Sequence, residues 1–260
     1  MRLLQITDTH LFADHSDTLL GLDTGASFRS VVALARREFP APDAILATGD
    51  LAQDASTDAY RQLAVGLGEF GAPVYWIPGN HDDPAVAEAT LTDSWFRRER
   101  SFVRDGWQVI LLDSSVPGSV AGRVGEAELE RLAGCLKAHP DHHALVCLHH
   151  QPEPVGSRWL DGLGLENQAE LMGLLESFPQ VRGVLWGHVH QEYANRRGNI
   201  RMLASPSTCL QFRPGSRDFS IDDAVPGYRW LELADDGAIR TGVSRVRDFI
   251  YVPDKGAVGY

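Results

Sequence analysis

An α/β fold is the class this sequence predicts. Short apolar runs read as strands, stretches of helical period lie between them, and most of the chain alternates the two. That alternation is the pattern of a mostly parallel or mixed sheet covered by helices. The 260 residues suit one large domain, 1–260, with no Pro/Gly/Ser-rich run, repeat or low-complexity segment to divide it.

Taken in order, Arg2–Thr7 is the first expected strand, entered almost directly from the N-terminus. Ser27–Phe39 follows with apolar residues at Val31, Val32, Leu34, Ala35 and Phe39, a helical spacing. Ala44–Thr48 is the next strand, and Thr57–Phe70 is a helix carrying Tyr60, Leu63, Ala64, Leu67 and Phe70. Val74–Ile77 is a strand. Phe102–Trp107 reads as a hairpin turning at Asp105-Gly106 and leads into a strand at Gln108–Asp113. Leu129, Leu132, Ala133 and Leu136 mark a helix over Glu126–Ala138, and Ala144–Leu148 is a strand. Leu171, Leu174 and Leu175 mark the helix Asn167–Ser177, before strands at Gly183–Trp186 and Arg201–Ala204. A last hairpin joins Leu231–Leu233 to Ile239–Val243 through Asp236-Gly237. The two hairpins break the alternation and supply antiparallel edges.

The formal charge of −11 argues against a nucleic-acid polymer as partner, since phosphate backbones are held by basic surfaces. A small phosphate ester remains compatible, because bound cations can make a pocket positive inside an acidic protein. No apolar run approaches the roughly 18 residues of a membrane span, and the N-terminus lacks the features of a secretory signal. Cys135, Cys147 and Cys209 are odd in number and scattered. They read as reduced thiols, small buried hydrophobes of a cytoplasmic protein.

Seven side chains able to bind metal stand just after the apolar runs: Asp8, His10, Asp50, Asn80, His149, His188 and His190. Aspartate, asparagine and histidine without cysteine suit hard-to-borderline divalent metals. Seven exceed the needs of one metal with an open position and suit two sharing a carboxylate. In an extended chain residues i and i+2 share a side, so Asp8 with His10, and His188 with His190, are expected to act as two-pronged clamps. The glycines before Asp50, Asn80 and His188 are expected to permit tight turns. Singly, Asp50 and Asn80 would read as helix caps or turn residues. Five clusters, each at a strand end where α/β sheets collect ligands, favour the metal reading. His15, His139, His142 and His143 have no motif around them and read as surface residues.

The order Asp8-x-His10, Gly49-Asp50, Gly79-Asn80-His81-Asp82, His149-His150 and Gly187-His188-x-His190 resembles the calcineurin-like metallophosphoesterase superfamily. Leu4–Phe12, Ala47–Asp54, Ser205–Cys209 and Pro226–Arg229 bring the chain nearer to the bacterial class III 3′,5′-cyclic AMP phosphodiesterases. The resemblance implies a four-layer α/β/β/α sandwich of two mixed sheets flanked by helices, which periodicity alone does not give. It implies one metal on Asp8, His10, Asp50 and His190, and another on Asp50, Asn80, His149 and His188, with Asp50 bridging. The metals would be Fe, Mn or Zn, the Asp and Asn oxygens beside imidazoles, with no thiolate, favouring Fe or Mn. His149 and His150 both end a strand. The family pattern favours His149 as ligand and gives His150 a place orienting a ligand or near substrate. Asp82 and Asp83 are either supports of the ligands or solvated turn carboxylates.

His81 is the candidate for catalysis outside the ligand set, donating to a phosphoryl oxygen or protonating the departing one. Substrate contacts are implied at His10, Asp50, Asn80, His81 and His190. The metal pair would turn a shared water into hydroxide for in-line attack on phosphorus. Protein Ser/Thr phosphatases show an arginine after the Gly-Asp motif that grips a phosphomonoester. Gly49–Asp54 has none, which favours a diester. Cyclic AMP hydrolysed to 5′-AMP is the expected reaction. The alternatives are a glycerophosphodiester, a 2′,3′-cyclic nucleotide, or a metal-dependent scaffold without turnover. Phe12, the loop Asp14–Leu20, Ser205–Thr208 and Phe212 are candidates to contact the base, and a monomer or homodimer is expected.

Overall fold

In the computed structural model every residue is described except Ile250, Lys255, Val258 and Tyr260. The chain runs β1 (Arg2–Ile6), β2 (Thr18–Leu19), β3 (Leu22–Asp23), α1 (Thr24–Glu38), β4 (Ala44–Thr48), α2 (Thr57–Gly68), β5 (Val74–Ile77), α3 (Pro84–Thr90) and β6 (Phe96–Arg97). It continues with β7 (Ser101–Arg104), β8 (Trp107–Leu111), α4 (Glu126–Ala138), β9 (His143–Cys147), α5 (Arg158–Asp161) and α6 (Gln168–Glu176). Last come β10 (Val181–Trp186), β11 (Tyr193–Arg197), β12 (Ile200–Ala204), β13 (Gly227–Leu233) and β14 (Ile239–Arg245).

Two six-stranded sheets result, in the orders β14-β13-β1-β4-β5-β6 and β11-β12-β10-β9-β8-β7. Both are mixed. β1, β4, β5 and β6 run parallel, while β13 pairs antiparallel with β1, Leu3 facing Leu231. In the second sheet β8, β9, β10 and β12 are parallel, flanked by antiparallel β7 and β11. The expected hairpins are present. Asp105 and Gly106 both take positive φ, 49° and 72°, as a two-residue turn matched to strand twist requires.

Strand alternation sorts the apolar residues into three layers. Leu3, Leu46, Val109, Leu111, Leu145, Leu185 and Leu231 meet between the sheets. Their sequence neighbours Leu4, Ile6 and Ile45 turn outward to α1 and α2. Ile110, Val146 and Val184 turn outward toward α4 and α6, packing with Leu132 and Leu175. Strands apolar on both faces are what a sheet covered on both sides demands, and the four-layer α/β/β/α architecture follows. α1 and α2 begin where Asp23 and Ser56 accept from Ala26 N (2.8 Å) and Ala59 N (3.1 Å), each satisfying an orphan amide.

The elements beyond expectation are short. β2–β3, β6, α3 and α5 span two to seven residues each, too few for a period to register. β11 is exposed along nearly its whole length, so it lacks the apolar run that marks a strand. No helix among the described residues is long and apolar enough to cross a membrane.

Leu46 is fully buried at the inter-sheet layer. Leu46→Ala is expected to lower the unfolding free energy by about 2–5 kcal/mol, measured by urea denaturation. A loss below about 1 kcal/mol would take Leu46 out of the core it is assigned to.

Candidate metal centre

β1, β4 and β5 of the first sheet and β9 and β10 of the second all end on one side of the molecule, at Ile6, Thr48, Ile77, Cys147 and Trp186. Within three residues of those ends stand Asp8, Asp50, Asn80, His149 and His188. The two sheets are tied together at this edge. Gln5 Nε2 donates to Thr48 Oγ1 (2.7 Å) and to Trp186 O (3.1 Å), Thr208 N to Thr7 O (3.2 Å), and His188 N to Asp8 Oδ1 (2.9 Å). Arg229, buried on β13, reaches Ala204 O at 2.7 Å and Ser205 Oγ at 3.2 Å. The site therefore sits on the seam between the sheets.

The local backbone is unlike the extended clamp expected from the sequence. Asp8, His10, Asp50, His188 and His190 all have φ between 45° and 63°, a region costly for residues with a Cβ and concentrated at functional sites. Asp8 and His10 still share one group, though on left-handed backbone instead of an extended strand, whereas His188 and His190 part. His190 joins Asp8 and His10, while His188 joins His149 and His150. The glycines divide as well. Gly49 takes φ +93°, but Gly79 and Gly187 are glycine because a Cβ would lie 2.2 Å from Asp50 Oδ1 and from Thr7 Oγ1 respectively. At those two positions close approach, not turning, is the requirement.

All seven expected ligands and His81 converge. Nitrogen and carboxylate atoms lie within 4.8 Å of one another in the groups Asp8–His10–His190, His10–Asp50–His81, Asp8–Asp50–His149 and His149–His150–His188. Asn80 Oδ1 is 3.3 Å from His149 Nε2. Each of the four expected ligand histidines spends one ring nitrogen on an oxygen. His10 Nδ1 faces Gln53 Oε1 (2.6 Å), His149 Nδ1 Thr48 O (2.8 Å), His190 Nδ1 Leu210 O (2.9 Å) and His188 Nε2 Leu163 O (3.1 Å). These oxygens only accept, so each ring donates there and turns its other nitrogen toward the centre, the arrangement that orients metal-binding imidazoles. His150 differs. Its Nδ1 meets Ser114 Oγ (2.8 Å) and its Nε2 donates to Val120 O (3.1 Å), so both nitrogens are engaged away from the centre. Its ring instead packs on His149 and His188, centroids 4.8 Å from each.

The donor set fits cations. His10 Nε2 and His190 Nε2 are 3.1 Å apart, a meeting of lone pairs that a positive charge makes favourable. Asp50 Oδ2 is buried and receives no well-aligned hydrogen bond, although His149 Nε2 lies 3.2 Å and His10 Nε2 3.8 Å away. Burial pushes the Asp50 carboxyl up, but the charge and hydrogen bonding of His149, together with the charges of His81 and His10, outweigh it and hold Asp50 well below the carboxylate range. Asp8 is likewise lowered, burial being overcome chiefly by His190. Burial lowers His10 and His150 to about 3 and holds His188 well below its ordinary value, which keeps the expected ligands His10 and His188 neutral as ligation requires. His149 is pushed up to about 9, its burial outweighed by Asp50. A cation between that ring and that carboxylate would take the proton's place.

Asp82 proves to be a support. Its carboxylate accepts from Gly79 N (2.8 Å), Ala52 N (3.0 Å), Leu51 N (3.1 Å) and Tyr60 Oη (3.0 Å), locking the Asp50 loop to the Asn80 loop. Burial and the Asp50 charge push it up to about 6. Asp83 has another job, capping α3 through Ala85 N (2.9 Å) and Val86 N (3.1 Å). Gln53, Ser114 and the carbonyls of Leu163 and Leu210 were invisible in sequence, because orientation by a neutral group leaves no motif.

Beside the centre opens a cavity of about 240 Å³, walled by Asn80, His81, His188, Trp159, Leu163 and Phe219 among others. Of the base-contact candidates only Phe212 lines it, and its ring lies stacked on His190 at 4.3 Å and 13°. Phe12 packs into the outer core with its carbonyl accepting from Gln62 Nε2. In the Asp14–Leu20 loop, Asp14–Thr18 is exposed and Leu19 joins that core. Ser205–Thr208 is buried structure: Ser205 Oγ donates to Gln5 Oε1, Ser207 Oγ to Asp8 O (2.6 Å), and Thr208 O accepts from Ser27 Oγ (2.5 Å). These residues hold the Asp8 turn instead of facing the cavity. His15 is exposed, and His139, His142 and His143 lie partly exposed away from the centre.

Comparison with known proteins places this geometry. The family model described as calcineurin-like phosphoesterase matches residues 1–192. The chain is 45% identical over 258 residues, 99% of its length and 94% of the relative's, to the 3′,5′-cyclic adenosine monophosphate phosphodiesterase CpdA of Pseudomonas aeruginosa. It is 44% identical over 261 residues to the protein of the same name from Escherichia coli K12, covering 100% of this chain and 95% of that one. Among solved structures, a dimetal phosphatase from Danio rerio shares the fold at TM-score 0.67 and 14% identity, over 95% of this chain and 99% of that one. The chain belongs to the calcineurin-like phosphoesterase family.

Proposed function

We propose that this protein is a two-metal phosphodiesterase that hydrolyses 3′,5′-cyclic AMP to 5′-AMP. The observation that carries the reading is the convergence of Asp8, His10, Asp50, Asn80, His149, His188 and His190 around the unsatisfied Asp50 Oδ2, and the names of the relatives at 44–45% identity support the substrate. Asp8, His10, Asp50 and His190 would hold one divalent cation, and Asp50, Asn80, His149 and His188 the other. Iron or manganese suits this oxygen-and-imidazole set better than zinc. When bound, such a pair makes water nucleophilic at neutral pH and offsets charge on phosphoryl oxygens.

The chain's own residues do the rest. His81 donates its backbone N–H to Asp50 Oδ1 at 2.9 Å, which fixes the loop, and its half-buried ring faces the cavity. From there the imidazole donates to a phosphoryl oxygen or delivers a proton to the ribose O3′ as the P–O3′ bond breaks. His10, Asp50, Asn80 and His190 stand where the phosphate would approach. The absence of an arginine in Gly49–Asp54 leaves no clamp for a monoester dianion. The protein works as one catalytic domain, 1–260, on a small molecule in place of a nucleic-acid polymer or membrane, as monomer or homodimer. Its free cysteines suit the reducing cytoplasm.

Assayed on metal-quantified protein, cyclic AMP is expected to give 5′-AMP. In ¹⁸O-water, mass spectrometry should place one heavy oxygen on the product phosphate and none on ribose. Label on ribose would refute attack at phosphorus, and a kcat/KM for a glycerophosphodiester far above that for cyclic AMP would overturn the substrate. Asp50→Ala should abolish activity and lower the content of both metals, read by elemental analysis. Two fully occupied ions in that variant would end the bridging assignment. His81→Ala should retain near-normal metal content while turnover drops roughly 10²–10⁴-fold, the usual worth of a proton-transfer group. Unchanged turnover would reduce His81 to structure.

A further inference from the structure

The cavity beside the centre holds recognition chemistry that phosphate hydrolysis does not use. Among its described lining residues there is no aspartate, glutamate, lysine or arginine, so it is built for an uncharged part of a ligand. Its volume, about 240 Å³, lies just below the roughly 300–1,000 Å³ typical of pockets enclosing a drug-sized molecule. That is room for a base and little more.

Its far wall is aromatic and fixed in place. The Trp159 indole donates Nε1–H to Ser216 Oγ at 3.1 Å and meets the rings of Phe212 and Phe219 edge-on, with centroids 5.0 and 5.1 Å away. Phe212 in turn lies flat on His190. Two ring contacts therefore set the distance from the indole to a candidate metal ligand. Leu163 makes a second link, because its carbonyl orients His188 while the residue lines the cavity. Phe212 has one face committed to His190 and only 1% of its surface exposed, so it backs the wall. Trp159 and Phe219 are half-buried and present the accessible rings.

We propose that Trp159, supported by Phe219 and Leu163, forms the base-binding subsite and sets the preference for a nucleotide over a glycerol-type diester. The inference rests on the phosphodiesterase reading of the neighbouring centre. Stacking suits any base, since every base has a π-face, and is worth roughly 1–3 kcal/mol per base, or about five- to 150-fold. Apolar walls offer nothing to the hydroxyls of a polyol, whose desolvation would go unpaid.

The test uses the metal-loaded full chain and variants Trp159→Ala, Trp159→Phe and Phe219→Ala, with circular dichroism to verify folding. Substrates are cyclic AMP and a base-free ribose 3′,5′-cyclic phosphate, and calorimetry gives Kd for 5′-AMP and ribose 5-phosphate. Trp159→Ala is expected to lower kcat/KM for cyclic AMP ten- to hundredfold, chiefly through KM, and to cost the base-free substrate far less. Trp159→Phe should recover most of the loss, and wild-type protein should bind 5′-AMP more tightly than ribose 5-phosphate. Equal losses on both substrates overturn the subsite while leaving the phosphodiesterase reading intact. Absence of cyclic AMP turnover overturns that reading, and the calorimetry still decides the subsite: equal Kd values for the two monophosphates refute it. Phe219→Ala keeps the question open to measurement should Trp159→Ala fail to fold, with the same contrast between substrates expected.

Discussion

A buried carboxylate is the constraint on which the rest of this structure depends. Asp50 is 1% exposed, and an ionised carboxylate removed from water is expensive unless charge and hydrogen bonds compensate it. The fold answers with imidazoles: His10, His81 and His149 each lower its pKa. Every one of those rings must then be held in one tautomer and orientation. That need explains why Gln53 Oε1 and the Thr48 carbonyl, rather than solvent, receive the outer nitrogens of His10 and His149. The donors around this carboxylate follow strand ends of both sheets, β1, β4 and β5 of one and β9 and β10 of the other.

The turns that carry the donors are strained, and the surroundings hold them so. Asp82 ties three backbone amides and a phenol, and Ser207 takes the carbonyl of Asp8. Left-handed backbone at five donor positions persists only where packing and hydrogen bonds over-determine it. The Asp82 network also shows that rigidity here comes from backbone amides, which a sequence does not advertise.

Much of this was readable in advance. Strands apolar on both faces and helices such as Glu126–Ala138, whose bounds agree with α4, follow from periodicity. The partition into two sheets did not, since β8 and β5 look alike in sequence and only their neighbours differ. The ligand residues were legible as a set because metal chemistry restricts residue type and places it at strand ends. Of the two expected clamps, Asp8 with His10 stays together while His188 and His190 part, because positive φ prevails where alternation predicts an extended chain. Phe12 and Ser205–Thr208 were misjudged for a related reason: nearness to a motif in the chain does not say which way a side chain faces. Trp159, on the single turn of α5, and Phe219, in a loop, carry no motif, and only tertiary packing brings them to the cavity.

The pairing of β1 with β13 has a consequence for how the molecule comes to exist. The donor-bearing segments end at His190, and the family match at residue 192. Yet β1, which launches Asp8, is an interior strand only because β13 lies against it, and the N-terminal amine itself donates to Leu233 O at 3.0 Å. During synthesis β1 leaves the ribosome long before β13, the partner that covers its open side. Until then the sheet is open on the side that carries the first donor. The first sheet is therefore completed only once β13 is made, and residues 1–192 alone would leave β1 as an open edge.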